Sequence, residues 1–187
     1  DGVVVEAERW TLTARRLDHS VEAFGYRLEE REGRHFLPER LAEAGVHGPL
    51  VGELERTGRV EVDGRTVRLE DVSVPRRGQV VAVVMDTRVC DAAVELARGA
   101  DLLMCESTFL DAEADLASAY RHLTARQAAT IAREAGARRL VLAHYSQRHP
   151  DEEAFRAEAA EIHPDVVAAR DLDVVPVPPR DREDPEA

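Results

Sequence analysis

The sequence predicts an α/β fold in which strands and helices alternate over residues 71–179. Continuous apolar runs, "QVVAVVM" and "LVLA" among them, are typical of strands buried within a sheet. The segments between these runs have helical periodicity, and such alternation forms a sheet covered by helices on both faces. At 187 residues and 44% hydrophobic residues, the chain is long enough to bury a core.

The first part of the chain has a different pattern. Residues 1–30 predict three strands, in "VVVEA", "WTLTARRL" and "AFGYRLEE". Residues 31–70 are rich in glycine and charged residues, and they predict an arm inserted into the sheet protein. Within this arm Pro38 opens a short helix, "HGPL" predicts a turn, and "VDGR" predicts the turn of a small hairpin.

The strongest helix signal lies in "LTARQAATIAREAG". Thr124 and Gln127 have the spacing of a capping box, and Gly136 ends the helix. One face of this helix is apolar, at Ala128, Ile131, Ala132 and Ala135. The other segments of residues 71–179 predict strands in "ADLLMCE" and "RRLVLAH", helices in "CDAAVELARG" and "PDEEAFRAEAAEI", and closing segments in "DVVAAR" and "LDVVPVP". Residues 180–187 predict a charged tail.

The composition constrains the partner and the compartment. A net charge of −12 argues against nucleic acid, because a phosphate backbone needs cationic contacts. The acids are concentrated in residues 151–165 and in the tail, and every basic residue is arginine, which binds phosphate well, so charge leaves the partner open. No apolar run is long enough to span a bilayer, which predicts no membrane partner. Cys90 and Cys105 form no Cys-x-x-Cys motif and predict reduced thiols in a cytoplasmic protein.

Titratable side chains follow four of the predicted strands. Asp86 comes after "VVAVVM" and Glu106 after "DLLMC". His144 follows "RLVLA", and His19 follows "ARRLD". Because ligands of α/β sheets bind at the carboxyl ends of strands, we expect these groups to converge on one rim. Imidazole and carboxylate groups suit zinc or manganese, and a carboxylate shared by two ions would hold them about 3.5–4 Å apart for phosphoester hydrolysis.

Each of these residues also has a structural interpretation. Asp86 could cap the following helix, Glu106 could cap or solvate a loop, and His144 could be a hydrogen-bonded structural residue. His122 could relay a proton to a leaving-group oxygen, with Glu106 as its orienting carboxylate, or it could lie on the surface. The remaining histidines are interpreted as surface residues: His35, His47, His149 and His163.

Four segments together resemble the second half of bacterial ribonuclease Z, within the metallo-β-lactamase superfamily. They are "LDHSVEAFGYRLEE", "GQVVAVVMDTRVCDAAVELARGADLLMCESTFL", "HLTARQAATIAREAGARRLVLAHYSQRH" and "DVVAARDLDVVPVP". The resemblance implies an αββα sandwich, of which this chain is the C-terminal portion with an inserted arm. It implies a zinc-dependent endoribonuclease that removes 3′ trailers from tRNA precursors.

The resemblance also assigns the metal ligands. His19 matches the metal-binding histidine between the two halves of the enzyme. Asp86 matches the carboxylate that bridges two zinc ions, and His144 matches the last metal-ligand histidine. The implied cofactor is two Zn²⁺ per subunit in the complete enzyme, with Mn²⁺ as a possible substitute.

The other implied roles concern the substrate. His122 matches a histidine that protonates the leaving oxygen, Glu106 matches its carboxylate partner, and Arg148 matches a residue beside the substrate phosphate. The arm, residues 31–70, matches an extension that binds precursor tRNA, usually across a homodimer. The motif His-Glu-Ala-Thr of the family reads Cys-Glu-Ser-Thr here, which preserves the glutamate.

One family motif is absent from the sequence. His-x-His-x-Asp-His, which supplies the other metal ligands, occurs nowhere in the chain. We therefore expect a fragment of a complete enzyme that is inactive alone. Two alternatives stay open at this point. One is another hydrolase of the superfamily, a phosphodiesterase or sulfatase acting on small substrates, and the other is a non-catalytic half that binds RNA.

Overall fold

The computed structural model describes residues 1–180, which divide into two compact units. The larger unit comprises Asp1–Arg31 and Gln79–Arg180, and the smaller unit comprises Glu32–Gly78. The smaller unit begins where the arm was predicted to begin and extends beyond residue 70. Of the predicted charged tail, only Arg180 is described, and the rest lies outside the described residues.

The secondary structure comprises strands and short helices. The strands are β1 Gly2–Glu6, β2 Trp10–Arg16, β3 Phe24–Glu30, β4 Gly33–Phe36, β5 Arg59–Val62, β6 Arg65–Arg68, β7 Ser73–Arg76, β8 Val80–Val84, β9 Leu102–Glu106, β10 Arg139–Ala143 and β11 Val166–Ala168. The α-helices are α1 Pro38–Glu43, α2 Pro49–Thr57, α3 Leu69–Val72, α4 Asp91–Ala97, α5 Ala114–Tyr120, α6 Ala125–Ala135 and α7 Glu153–Ala160.

The larger unit is built on one mixed sheet with the strand order β1-β2-β3-β8-β9-β10-β11. Strands β1, β2 and β3 are antiparallel neighbours, and β3 is antiparallel to β8. Strands β8, β9, β10 and β11 are parallel. Strand β2 therefore runs in the same direction as these four strands. As a result, the carboxyl ends of β2, β8, β9 and β10 lie at one edge of the sheet.

One face of this sheet packs against α4, α6 and α7 and holds the main core. The strand residues in this core alternate along β8, β9 and β10, as a pleated strand requires. They are Val80, Ala82, Val84, Leu103, Cys105, Leu140 and Leu142. Helix α6 has the predicted capping box between Thr124 and Gln127, and Gly136 ends it with a φ of 67°. The four predicted apolar residues of this helix are all buried, which confirms the predicted face.

The opposite face of the sheet is also apolar, but it is partly exposed. The strand register places Tyr26, Val83 and Met104 in one row of this face. The Tyr26 side of this row is open, since Tyr26 is 42% exposed. Within residues 1–180, the expectation of full cover on both faces is therefore wrong, because α4, α6 and α7 pack against the other face.

The smaller unit has its own small core, formed by Val46, Leu54, Val60 and Val72. Strands β4 and β7 form one antiparallel pair, and β5 and β6 form a hairpin. The two residues of its turn, Asp63 and Gly64, have positive φ values of 48° and 75°. A two-residue turn of type I′ requires this conformation at both positions, and Asp-Gly is a favoured sequence for it. The hairpin predicted from "VDGR" is therefore confirmed.

Two segments differ from the sequence prediction. The turn predicted at "HGPL" is partly wrong, because α2 begins at Pro49 within it, and residues 114–120 form α5, which was not predicted. In α2 the apolar residues Leu50, Val51 and Leu54 pack into the small core, whereas α5 buries only Ala117 fully. The closing segment "LDVVPVP" lies outside the strands, and its Pro176 carbonyl accepts a hydrogen bond from Arg139. Among the helices of residues 1–180, none has the length and apolar character needed to cross a membrane.

Candidate functional site

Three predicted site residues come together at the carboxyl edge of the sheet. Asp86 follows β8, His144 follows β10, and His122 lies in the loop between α5 and α6. Potential ligand atoms of these three side chains all lie within 4.8 Å of one another. The His144 Nε2 atom is 3.5 Å from Asp86 Oδ1. The rings of His122 and His144 stack, with centroids 5.3 Å apart.

Glu106, the last residue of β9, lies behind this group and is fully buried. Its Oε1 atom accepts a hydrogen bond of 2.6 Å from the Thr87 backbone N–H, and its Oε2 atom accepts one of 3.0 Å from the Leu123 backbone N–H. The Nδ1 atom of His122 lies 3.0 Å from Oε1. Because a carboxylate only accepts hydrogen bonds, His122 donates its Nδ1–H to Glu106 and leaves Nε2 toward the open side.

His19, which follows β2, lies beside His122 but outside the group of three. The two ring centroids are 4.8 Å apart. The His19 Nδ1 atom is 3.0 Å from the Arg121 carbonyl oxygen, which can only accept. The neighbouring Asp18 pairs with Arg88 at 2.7 Å and with Arg121 at 3.2 Å. These contacts attach the His19 loop to the loop that carries His122.

The chemistry of these side chains fits a zinc-type metal. In both His19 and His122 the Nδ1–H is donated to an oxygen acceptor, which leaves the lone pair of the neutral ring on Nε2; in His19 this atom lies 3.4 Å from the Ser20 hydroxyl. Metal-ligating histidines are oriented in this way by carboxylate or carbonyl acceptors. Nitrogen ligands together with the Asp86 carboxylate suit zinc or manganese. The structure therefore contains a histidine–aspartate group that could hold a metal ion, while the ligand role of His19 stays a prediction.

Arg148 lies at the rim of a cavity of about 600 Å³ that is also lined by His19 and His122. Its guanidinium carbon is 5.9 Å from the centre of the Phe109 ring. Phe109 is buried and stacks with Tyr120 at a centroid distance of 6.4 Å. A cation is therefore available beside the candidate metal ligands, although the phosphate contact of Arg148 stays a prediction.

Two of the histidines interpreted as surface residues have defined partners. His163 is only 3% exposed, which contradicts that interpretation, because its Nε2 atom lies 2.9 Å from the Ala137 carbonyl oxygen. His149 is half-buried, and its Nε2 atom lies 2.7 Å from Glu113 Oε2. Burial raises the pKa of Glu113, but the hydrogen bonds from His149 and from the Leu110 N–H outweigh it and hold the pKa below its ordinary value.

Two other ionisable groups near the sheet, Cys105 and Tyr145, have raised pKa values. Burial raises the pKa of the Cys105 thiol well above its ordinary value, so the thiol stays protonated. Burial also raises the pKa of Tyr145, whose hydroxyl donates to the Leu142 carbonyl at 2.6 Å.

The backbone at His144 has a left-handed conformation, with a φ of 61°. Glycine and asparagine are the residues that usually occupy this conformation, and for other residues it costs roughly 1–2 kcal/mol. An apolar strand that ends in this way would ordinarily be followed by glycine. The imidazole at this position therefore has a cost in stability, which indicates that the side chain itself is needed.

We expect the His144→Gly variant to be more stable than the His144→Ala variant, with a free energy of unfolding about 1 kcal/mol larger. Both variants lose the imidazole, so the difference isolates the backbone conformation. At positions with ordinary φ, alanine is instead the more stabilising residue. Urea unfolding of the two variants measures this difference, and an alanine variant as stable as the glycine variant would show that the loop relaxes out of the left-handed conformation.

Comparison with known proteins shows which proteins this chain resembles. No family model matches the chain. The ribonuclease Z of Nocardia farcinica is 54% identical over 172 residues, which cover 91% of this chain and 56% of the relative. The ribonuclease Z of Salinispora arenicola is 53% identical over 181 residues, which cover 96% of this chain and 59% of the relative. The chain is a homologue of bacterial ribonuclease Z.

Solved structures agree with this relationship. The crystal structure of the short form of human tRNase Z matches with a TM-score of 0.57 at 25% identity, covering 94% of this chain and 45% of the human chain. The metallo-β-lactamase fold protein YhfI from Bacillus subtilis matches with a TM-score of 0.57 at 20% identity, covering 90% of this chain and 49% of YhfI. The ribonuclease Z homologue therefore has the metallo-β-lactamase fold that was predicted. It spans less than two thirds of the length of each of these relatives.

Proposed function

We propose that this chain is part of a ribonuclease Z whose complete form removes 3′ trailers from tRNA precursors by phosphodiester hydrolysis. The observation that carries the proposal is the buried Glu106, which fixes His122 beside Asp86 and His144. Its relatives of more than 50% identity are named ribonuclease Z. The arrangement supports the proposal because it puts an imidazole that could serve as a proton donor next to a group suited to metal binding, and phosphodiester hydrolysis uses both.

The proposed cofactor is zinc, two ions per subunit, held in part by His19, Asp86 and His144, with Asp86 as the shared ligand. The Nε2 lone pair of His19, which has only a 3.4 Å contact with the Ser20 hydroxyl, and the carboxylate of Asp86 fit this assignment. When bound, zinc would supply Lewis-acid polarisation of the phosphate and a water of lowered pKa. His122 could alternatively serve as a ligand itself, since its ligand atom lies within the same group.

In the proposed reaction His122 protonates the leaving 3′ oxygen, and Glu106 holds its ring in place. The hydrogen bond from Nδ1 to Glu106 stabilises the imidazolium that this step requires, so that Nε2–H can face the leaving oxygen. Arg148 would contact the substrate phosphate from the rim of the cavity. Glu106 acts here as a positioning residue, because it lies behind His122 and is fully buried.

We further propose that the rest of the complete protein supplies the His-x-His-x-Asp-His ligands and a second sheet. The apolar face that carries Tyr26, Val83 and Met104 supports this, because such a face needs cover to be stable in water. The chain by itself would then lack ligands and be inactive. We propose that the complete protein acts as a homodimer on precursor tRNA in the cytoplasm, without a membrane partner.

We propose that the smaller unit, Glu32–Gly78, is the tRNA-binding arm. The hairpin β5–β6 and the end of α2 expose several arginines that could contact phosphates: Arg56, Arg59, Arg65 and Arg68. The unit carries about as many acids as arginines, so the contact would depend on these positions rather than on net charge. A small substrate would not need this arm.

Replacing residues 31–78 by Asn-Gly is expected to lower cleavage of precursor tRNA without affecting hydrolysis of a small phosphodiester. Strands β3 and β8 are antiparallel neighbours, and the Glu30 N–H donates to the Gln79 carbonyl at 2.9 Å, so a two-residue turn can join them. We expect kcat/KM for precursor tRNA to fall by about 100-fold, because a second binding contact is lost. Hydrolysis of bis(p-nitrophenyl) phosphate should stay unchanged, and an equal loss on both substrates would contradict the assignment of the arm.

The substrate class is tested by offering the full-length protein two substrates. One is a 3′-extended tRNA precursor, and the other is bis(p-nitrophenyl) phosphate as a small phosphodiester. Cleavage of the precursor at the start of its trailer, with mapped 3′ ends, supports the nuclease. Turnover of the small ester alone would favour a phosphodiesterase of the same fold, and binding of the precursor without any cleavage would favour a non-catalytic RNA-binding protein. Either of these two outcomes would overturn the proposal.

A further inference from the structure

Thr108, to which the sequence analysis assigns no role, lies between Glu106 and His144. Thr108 is 8% exposed, and its hydroxyl oxygen is 2.7 Å from Glu106 Oε2 and 2.8 Å from His144 Nδ1. In an extended segment, residues two apart point to the same side, which places Thr108 next to Glu106. The hydroxyl is therefore the one direct link between the positioning carboxylate and the imidazole of His144.

The direction of these two hydrogen bonds follows from the donors and acceptors available. Two backbone N–H groups, of Thr87 and Leu123, already donate to Glu106, so its oxygens act as acceptors. The Thr108 hydroxyl has one hydrogen, which it donates to Glu106. Its oxygen can then only accept, so the Nδ1 atom of His144 carries a hydrogen. The lone pair of neutral His144 is left on Nε2, the atom that faces Asp86.

The backbone holds Thr108 in this position from both sides. The Ser107 N–H donates to the Ala143 carbonyl at 2.9 Å, and the Ser146 N–H donates to the Thr108 carbonyl at 3.0 Å. On the other side, the Phe109 N–H donates to the Leu123 carbonyl at 3.2 Å. Thr108 is thus hydrogen-bonded into both the loop of His144 and the loop of His122, and its hydroxyl has little freedom to turn away.

We propose that Thr108 is a positioning residue that sets the tautomer of His144 for metal binding and connects this ligand to the Glu106–His122 pair. A histidine side chain in water favours the hydrogen on Nε2, the wrong atom for a ligand facing Asp86. The Thr108–Glu106 pair reverses that preference before any metal binds. The inference rests on the proposed metal site, but it concerns a state of the protein that can be observed without cleavage.

The test compares Thr108→Val with Thr108→Ser in the full-length protein, with Thr130→Val as the control. Thr130 donates its hydroxyl to the Arg126 carbonyl within α6, so this control removes a hydroxyl elsewhere in the same unit. Long-range ¹H–¹⁵N NMR of the metal-free protein at about pH 8.5, above the ordinary range of histidine titration, reads the tautomer of His144. Zinc affinity is measured in parallel with a competing chelator.

We expect His144 to carry its hydrogen on Nδ1 in the wild type, in Thr108→Ser and in Thr130→Val, and to shift toward Nε2–H in Thr108→Val. Zinc affinity should fall by about 10–100-fold in Thr108→Val and recover in Thr108→Ser. A wild type with Nε2–H on His144, or an unchanged tautomer and affinity in Thr108→Val, would overturn the inference. Because neither readout involves RNA, failure of the proposed nuclease function would show up separately, as absent cleavage with an intact tautomer shift.

Discussion

The Asp86→Ala variant of the full-length protein is expected to lose both bound zinc and tRNA cleavage. Asp86 contributes the carboxylate that faces His144, and no other carboxylate belongs to the candidate metal group of residues 1–180. Losing a shared ligand removes several kcal/mol of transition-state stabilisation, which corresponds to a fall in kcat/KM of about 10³-fold. Zinc content by mass spectrometry and single-turnover cleavage measure the two losses on the same sample.

The control for this variant is Asp171→Ala, which removes an exposed aspartate that lies outside the helices and strands. It should keep both zinc and activity. Asp86 is partly exposed, so the Asp86→Ala protein should also remain folded, and its thermal unfolding checks this. If Asp86→Ala kept full activity with normal zinc content, Asp86 would not be a metal ligand; the alternative that it caps the next helix is already wrong, because Cys90 is the N-cap of α4 and no side chain caps that helix.

The Glu106→Gln variant is expected to keep zinc but to lose about 10²–10³-fold in kcat, the range for a misplaced general acid. At least three donors point at the two oxygens of Glu106: Thr87 N–H, Leu123 N–H and the Thr108 hydroxyl. A glutamine offers one oxygen and one NH₂ group, so a buried donor would meet another donor. We expect the free energy of unfolding to fall by about 1–3 kcal/mol as well.

A double variant that combines Glu106→Gln with His122→Ala shows whether Glu106 acts by positioning His122 or only by stabilising the folded protein. If Glu106 acts through His122, the double variant should be about as slow as His122→Ala alone, because residues that work as a unit are not additive. The unfolding free energies should still differ, since Glu106 also binds the backbone of two loops. Fully additive losses in kcat would show that Glu106 contributes to the reaction independently of His122.

Much of the fold could be predicted from local sequence, because its strongest elements carry their own signals. Strands β8, β9 and β10 are continuous apolar runs, and α6 has a capping box and a terminal glycine. Helix α2 was missed because "HGPL" was interpreted as a turn, and α5 because it buries only Ala117 fully. The partial exposure of one sheet face could not be predicted from strand composition alone, since its residues Val83 and Met104 are apolar as well.

The candidate site also contains some residues that could be predicted from sequence and others that could not. Asp86, Glu106 and His144 were located by one topological rule, that strands carry ligands at their carboxyl ends. His122 lies in a loop, so its position beside Asp86 depends on how α5 and α6 are placed. The sequence left open whether it relays a proton with Glu106 or lies on the surface, and the family resemblance favoured the first. Thr108 was missed because its role depends on a tertiary contact with His144, although a threonine two residues after a strand-end glutamate was a usable signal. The prediction that His163 lies on the surface was wrong, because the burial of its side chain depends on a contact with a residue that is distant in the sequence.

The central claim is that these strand ends form part of a metal-dependent tRNA 3′ endonuclease. The most direct test is to strip metal from the full-length protein with a chelator, return zinc stepwise, and map the 3′ end produced from a 3′-extended tRNA precursor at each step. We predict that cleavage at the start of the trailer vanishes on chelation and returns as about two zinc ions per subunit are restored. Cleavage that persists without metal, or metal-restored protein that leaves the precursor intact, would contradict the claim.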